Sequence, residues 1–172
     1  MVRVHPGYDP LVRKSTILLT LVLCTCAACA GGRGPEPRTE PAEPRTAVDV
    51  LRVREPGTEW DGKSLLHSDL DLDGGEDYAL AGVHGDRFVV GIVHGPVSAD
   101  SQVWTLDFPW DGGEDALCSK DAKITLEPLE ENEGPKPGHP REGMGINLSD
   151  EQCDAFHIYW NPQEKTFAYW RM

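Results

Sequence analysis

In this 172-residue chain Asp and Glu outnumber Lys and Arg by 29 to 16, for a formal net charge of −13. A surface so negative repels phosphate backbones and anionic headgroups, which argues against nucleic acid as a partner; cations are its natural counterpart, and solubility is the plainer use of the same charge. The length suits one domain with a small core.

Arg13 and Lys14 precede the apolar run Ile17-Leu18-Leu19-Thr20-Leu21-Val22-Leu23-Cys24. The run is too short to span a bilayer, which takes about 20 residues. A basic flank, a short apolar stretch and small residues together make a secretory signal. It ends in Thr25-Cys26-Ala27-Ala28-Cys29-Ala30-Gly31, which resembles the lipobox of bacterial lipoproteins, with Cys26 where the family usually carries Leu. The resemblance implies removal of residues 1–28 and lipidation of Cys29, with a membrane as partner through the lipid. By the family rule, Ala30 after the cysteine favours the outer membrane of a two-membrane bacterium. An ordinary signal cut after Ala28 or Ala30 would instead leave Cys29 a thiol. Without residues 1–28 the chain keeps 13 basic and 28 acidic side chains, a net charge of −15.

Residues 29–46, with Pro35, Pro37, Pro41 and Pro44, contain no apolar group able to support a core. Proline at this density enforces extended, hydrated backbone, so the segment reads as a spacer. A PxxP-type ligand is the sharper alternative.

The folded domain is expected over 47–172, where apolar residues come in short runs broken by Gly, Pro, Asp and Asn. That pattern predicts a mainly β fold: a small antiparallel sheet or compact β-meander of about seven short strands with one disulfide. The expected strands are Val48–Val53, Tyr78–Val83, Arg87–Val93, Gln102–Phe108, Ile124–Leu129, Ala155–Trp160 and Thr166–Arg171, with no sustained helical stripe. His84-Gly85-Asp86 reads as a tight hairpin turn and Asn161–Lys165 as a longer one. Glu130–Gly143, polar and rich in Glu, Pro and Gly, reads as a long surface loop. The aromatics of the last hairpin read as core and cross-strand pairs in preference to a ligand platform.

Cys118 and Cys153 remain in the domain, and in an oxidising compartment such a pair is normally a disulfide. It would close a loop of about 35 residues and stabilise by roughly 3 to 4 kcal/mol. The wide spacing lacks the CxxC arrangement of a redox pair.

One loop carries coordination chemistry: Asp69-Leu70-Asp71-Leu72-Asp73-Gly74-Gly75-Glu76-Asp77, followed by apolar Tyr78-Ala79-Leu80. Alternate carboxylates turn inward when the chain bends, and Gly74 permits the bend. Calcium accepts about six to eight oxygens, and four carboxylates, a backbone carbonyl near Gly75 and water could supply them; magnesium demands a tighter octahedron. The alternative is an acidic turn whose Asp side chains cap their own backbone amides. An EF-hand would need Glu at the twelfth place, which is Leu80. From Leu66 to Val83 the loop resembles the DxDxDGxxD loops of FG-GAP and VCBS repeats. That resemblance implies Asp69, Asp71, Asp73 and Asp77 as calcium ligands and a loop joining two strands of a sheet. Asp107–Asp115 repeats Asp-Gly-Gly-Glu-Asp at the same phase but has Pro109 at the third place, and is read as coincidence or a metal-free turn, with a degenerate second repeat holding a weak site as the alternative.

No GxSxG, HExxH or SxxK signature occurs, no phosphate loop follows a strand, and His67, His84, His94, His139 and His157 are scattered, so no catalytic residue is assigned. The expected function is a lipid-anchored envelope protein with a calcium-stabilised β domain that binds another envelope protein or a glycan. The alternative is an envelope hydrolase assembled from dispersed Asp, Glu and His.

Overall fold

The computed structural model describes residues 46–110, 112–129 and 142–171, and the backbone of 2–5. The cleavage site, Cys29, nearly all of the tether, residues 130–141 of the expected loop and His139 lie outside the described residues. The described residues all belong to one compact unit.

The described chain opens with a short strand, β1 (Val2–His5), and resumes with a helix, α1 (Ala47–Arg54). The helix replaces the strand expected over Val48–Val53. Thr46 caps it by accepting the Asp49 N–H, Asp49 lies in its first turn and Arg52 and Arg54 in its last, each placed to suit the helix dipole. Ala47, Val50 and Leu51 are buried at helical spacing, whereas Val53 is exposed. Three β-branched valines gave the segment a strand-like look, and tertiary packing overrode that weak propensity.

Five more strands follow: β2 (Glu59–Trp60), β3 (Leu66–Ser68), β4 (Asp77–His84), β5 (Arg87–Val93) and β6 (Val103–Pro109), with a 3-10 turn at Gly62–Ser64 between β2 and β3. They form one antiparallel sheet in the order β1-β6-β5-β4-β2, with β3 also paired to β4. The remaining strands, β7 (Lys123–Pro128), β8 (Met144–Ser149), β9 (Phe156–Asn161) and β10 (Thr166–Arg171), form a second antiparallel sheet ordered β10-β9-β8-β7. The fold is therefore mainly β, as expected, but with two sheets where one was anticipated. Both expected hairpin turns form: His84 pairs with Arg87 across Gly85-Asp86, with Gly85 at φ 60, and Asn161 pairs with Thr166.

Strand alternation decides what each sheet face buries. Ala79, Ala81, Phe88, Val90, Ile92, Trp104, Leu106 and Phe108 of the first sheet meet Ile124, Ile146, Leu148, Phe156, Ile158 and Phe167 of the second in one core. Trp104 meets Trp160 and Phe167 edge-on at ring-centroid distances of 5.4 and 5.2 Å, and Phe108 packs on Phe156 at 4.8 Å. Each fully buried Leu, Ile or Phe of this kind contributes roughly 1.5–3 kcal/mol. On the opposite face of the first sheet, Leu80, Val89, Val93 and Val103 pack under α1 and Trp60. Gly91 makes that packing possible, since a Cβ there would stand 2.5 Å from the Trp60 ring and 2.7 Å from Leu51.

Cys118 and Cys153 form the expected disulfide, with Cα atoms 6.0 Å apart. Asp150 binds both of its ends. Its Oδ2 accepts the N–H groups of Cys118 and Ser119, and its Oδ1 those of Gln152 and Cys153.

Candidate metal centre

Residues 69–76 are the connection between β3 and β4, closed at its base by the pairing of Ser68 with Asp77. Leu70 is buried in the core and anchors the loop's first half. Leu72 at φ 65 and Gly74 at φ 91 then turn the chain back on itself. The bend brings the aspartates together. Asp69, Asp71 and Asp77 each offer a carboxylate oxygen, and these three lie within 4.8 Å of one another. Two oxygens on opposite sides of a calcium ion stand about 4.8 Å apart at ordinary bond lengths, so the spread suits one ion.

Each aspartate also binds the loop's own backbone. Asp69 Oδ2 accepts the Gly74 N–H (3.1 Å), Asp71 Oδ1 that of Asp73 (3.2 Å) and Asp73 Oδ1 that of Gly75 (2.6 Å). Asp77, wholly buried, accepts the N–H groups of Leu70 and Asp71 through Oδ2 and that of Gly95 through Oδ1. Coordination and backbone capping thus use the same side chains. One atom is left over: Asp69 Oδ1 is sealed from solvent and has no hydrogen-bond partner among the described residues. An orphaned buried carboxylate oxygen is costly, and a cation is one group that would satisfy it, as a water molecule would.

A residue that the sequence reading did not assign to the site completes the cluster. His94, one residue beyond β5, places Nδ1 3.1 Å from Asp77 Oδ1 and 3.3 Å from Asp71 Oδ2, and Nε2 3.7 Å from Asp73 Oδ2. Its own N–H donates to the Gln102 carbonyl (2.9 Å), and its ring stands edge-on to Trp104. The adjoining Gly95 lies so close to the loop that a Cβ would fall 1.9 Å from the Glu76 carbonyl oxygen. The signal that could have found His94 was the hairpin register. Counted back from His84 opposite Arg87, the pairing sets Tyr78 opposite Val93, and one further step brings Asp77 to His94.

Burial, and next the neighbouring Asp77 charge, push the Asp71 carboxyl above its ordinary range, although the Asp73 N–H and His94 pull the other way. Glu76 lies apart, bonded to His67 (2.8 Å) and Tyr78 (3.1 Å). Among the described residues no donor group converges in the Asp107–Asp115 segment, where Asp107 lies within β6.

The other described histidines stand away from this cluster. His84 shares a hydrogen bond with Thr58 (3.1 Å). His157 is bonded to Glu127 (2.9 Å) and stacks on Trp170 with centroids 4.2 Å apart. Trp60, Trp104 and Trp170 are buried, and Trp110 and Trp160 pack half-buried against the core. Among the described residues no helix is long and apolar enough to cross a membrane. Comparison with known protein families, with curated proteins and with solved structures finds no match.

Proposed function

We propose that the chain is a lipid-anchored protein of the bacterial cell envelope, held by Cys29, whose β domain is a binding module stiffened by calcium in the Asp69–Asp77 loop. The observation that carries the metal half of this reading is the approach of the Asp69, Asp71 and Asp77 carboxylates to within 4.8 Å of one another. The orphaned Asp69 Oδ1 supports it. On the FG-GAP and VCBS resemblance Asp73 joins the ligand set, and a backbone carbonyl near Gly75 with water would complete it. Calcium here is structural: it relieves the repulsion among buried like charges and fixes the β3–β4 connection.

A protein partner suits the surface better than a glycan. Sugar-binding faces present exposed aromatic rings, and here all five tryptophans are buried or packed against apolar residues. Binding is favoured over hydrolysis because the carboxylates that converge in the Asp69–Asp77 loop are arranged to hold a cation.

The test is calcium-linked stability. In the domain over 47–172, millimolar calcium raises the melting temperature above that in excess chelator, and Asp73→Ala removes most of the rise. Equal melting temperatures in the two buffers would refute the loop assignment. Labelling with a radioactive fatty acid, lost in Cys29→Ser, tests the anchor separately.

A further inference from the structure

The calcium reading uses oxygen donors only, yet an imidazole also stands against the buried carboxylates. We infer that His94 is a ligand of the same centre, which makes it a mixed nitrogen–oxygen site able to hold a borderline transition dication, Zn²⁺ or Mn²⁺, as well as calcium. This inference rests on the reading of the Asp69–Asp77 loop as a metal centre.

Two sets of donors meet at Asp71: Asp69, Asp71 and Asp77 on one side, and Asp71, Asp73 and His94 on the other, each within 4.8 Å. His94 Nδ1 stands 3.3 Å from Asp71 Oδ2 and 3.1 Å from Asp77 Oδ1. Ligand atoms bound at about 2.1 Å around one small dication are separated by roughly 3.0–3.4 Å along the edges of an octahedron or tetrahedron. The spacings fit an ion seated between nitrogen and carboxylates as well as they fit the hydrogen bond that His94 Nδ1 shares with Asp77 Oδ1, so the nearest donors need not move far to bind one.

The site is built as well as charged. Only 9% of the Asp71 side chain and none of the Asp77 side chain is exposed, Asp69 Oδ1 is sealed without a partner among the described residues, and the Gln102 carbonyl and the Trp104 ring fix His94 from outside the acidic loop. Carboxylates alone suit calcium, magnesium and manganese, and an imidazole extends the range toward zinc and its neighbours.

The experiment uses Mn²⁺ and Zn²⁺ on the full chain. Electron spin-echo spectroscopy of the Mn²⁺ form is expected to show one directly bound imidazole nitrogen, absent in His94→Gln. Titration calorimetry is expected to show Zn²⁺ affinity falling at least about tenfold in that variant, with calcium affinity changed less than about threefold. Calcium binding with no nitrogen coupling in the Mn²⁺ form would overturn this inference alone and leave His94 a packed ion-pair partner. If neither calcium nor Mn²⁺ binds, the loop reading falls with it. Should His94→Gln not fold, the nitrogen coupling of the unsubstituted protein decides the matter.

Discussion

Replacing Asp150 tests how the disulfide end of the fold is held. The residue is 5% exposed, and its two oxygens accept four backbone N–H groups, from Cys118, Ser119, Gln152 and Cys153. Asp150→Ala orphans four part-buried donors at roughly 1–1.5 kcal/mol each, about 4–6 kcal/mol in all. Small domains have about 5–15 kcal/mol in total, so Asp150→Asn is the more useful variant. It keeps one acceptor oxygen and turns an amide toward the other two donors, for a loss of about 2–3 kcal/mol. With the disulfide intact, that loss moves the urea midpoint down by about 1–2 M at pH 7. The pH dependence gives a second reading. Burial, the largest single influence, pushes the Asp150 carboxyl up, but the four N–H donors together outweigh it and hold it below its ordinary range. A carboxylate depressed in the folded state stabilises fully above its unfolded pKa of about 4 and loses that contribution as pH falls through the folded value. The gap between the protein and Asp150→Asn therefore narrows below pH 4. Equal midpoints at pH 7, or a gap independent of pH, would refute the reasoning.

Gly91→Val forces a side chain into the space held by Trp60 and Leu51; overpacking of this kind costs about 1–3 kcal/mol and is expected to lower the melting temperature by roughly 5–15 °C, and an unchanged melt would show that α1 does not rest where described. Burial, and then the nearby Asp115, push the Tyr169 hydroxyl up to about 12. Tyr78 and Tyr159 are also raised, so a stopped-flow absorbance titration of the folded domain should find several late-ionising tyrosines, and the latest of them should disappear in Tyr169→Phe. Because the raised value favours the neutral hydroxyl, its contribution to stability is present below pH 10 and lost as pH rises toward 12.

Legibility in the sequence followed the length and isolation of each signal. β5 and β10 occupy the ranges their alternation and turns implied, because Gly85 and the Asn161 turn punctuate long apolar runs. β8 went unseen, since Ile146 and Leu148, separated by Asn147, make only a brief alternation between Gly145 and Ser149. β2 and β3, at two and three residues, are too short to carry a period and exist because β4 offers them partners. α1 was misread because eight residues rich in valine look extended until a sheet face is supplied for Ala47, Val50 and Leu51. At the acidic loop the alternate carboxylates and Gly74 were legible, whereas His94 was not, because its approach depends on pairing along the whole of β4 and β5. A donor brought in through sheet register has no local spacing to announce it.

The pairing of β1 with β6 bears on the proposed export. Val2–His5 runs antiparallel to β6 over Val103–Leu106, while the lipobox reading places those four residues ahead of the cleavage site. The basic start of a signal remains on the cytoplasmic side as the domain passes through, so this pairing and export are alternative states of one chain. In the exported state β6 becomes the edge of its sheet, and unpaired edges invite association. β6 has features that blunt the hazard: it is seven residues long, carries Asp107 on the face away from the core, and ends in Pro109, which has no N–H to offer. It also keeps its full pairing with β5, so Trp104, Leu106 and Phe108 remain set against the second sheet. The acidic loop joins β3 to β4, which two strands separate from β1, and His94 follows β5, with β6 between it and β1. Metal affinity is therefore expected to be the same whether or not residues 2–5 are present, and the centre can work in the processed protein.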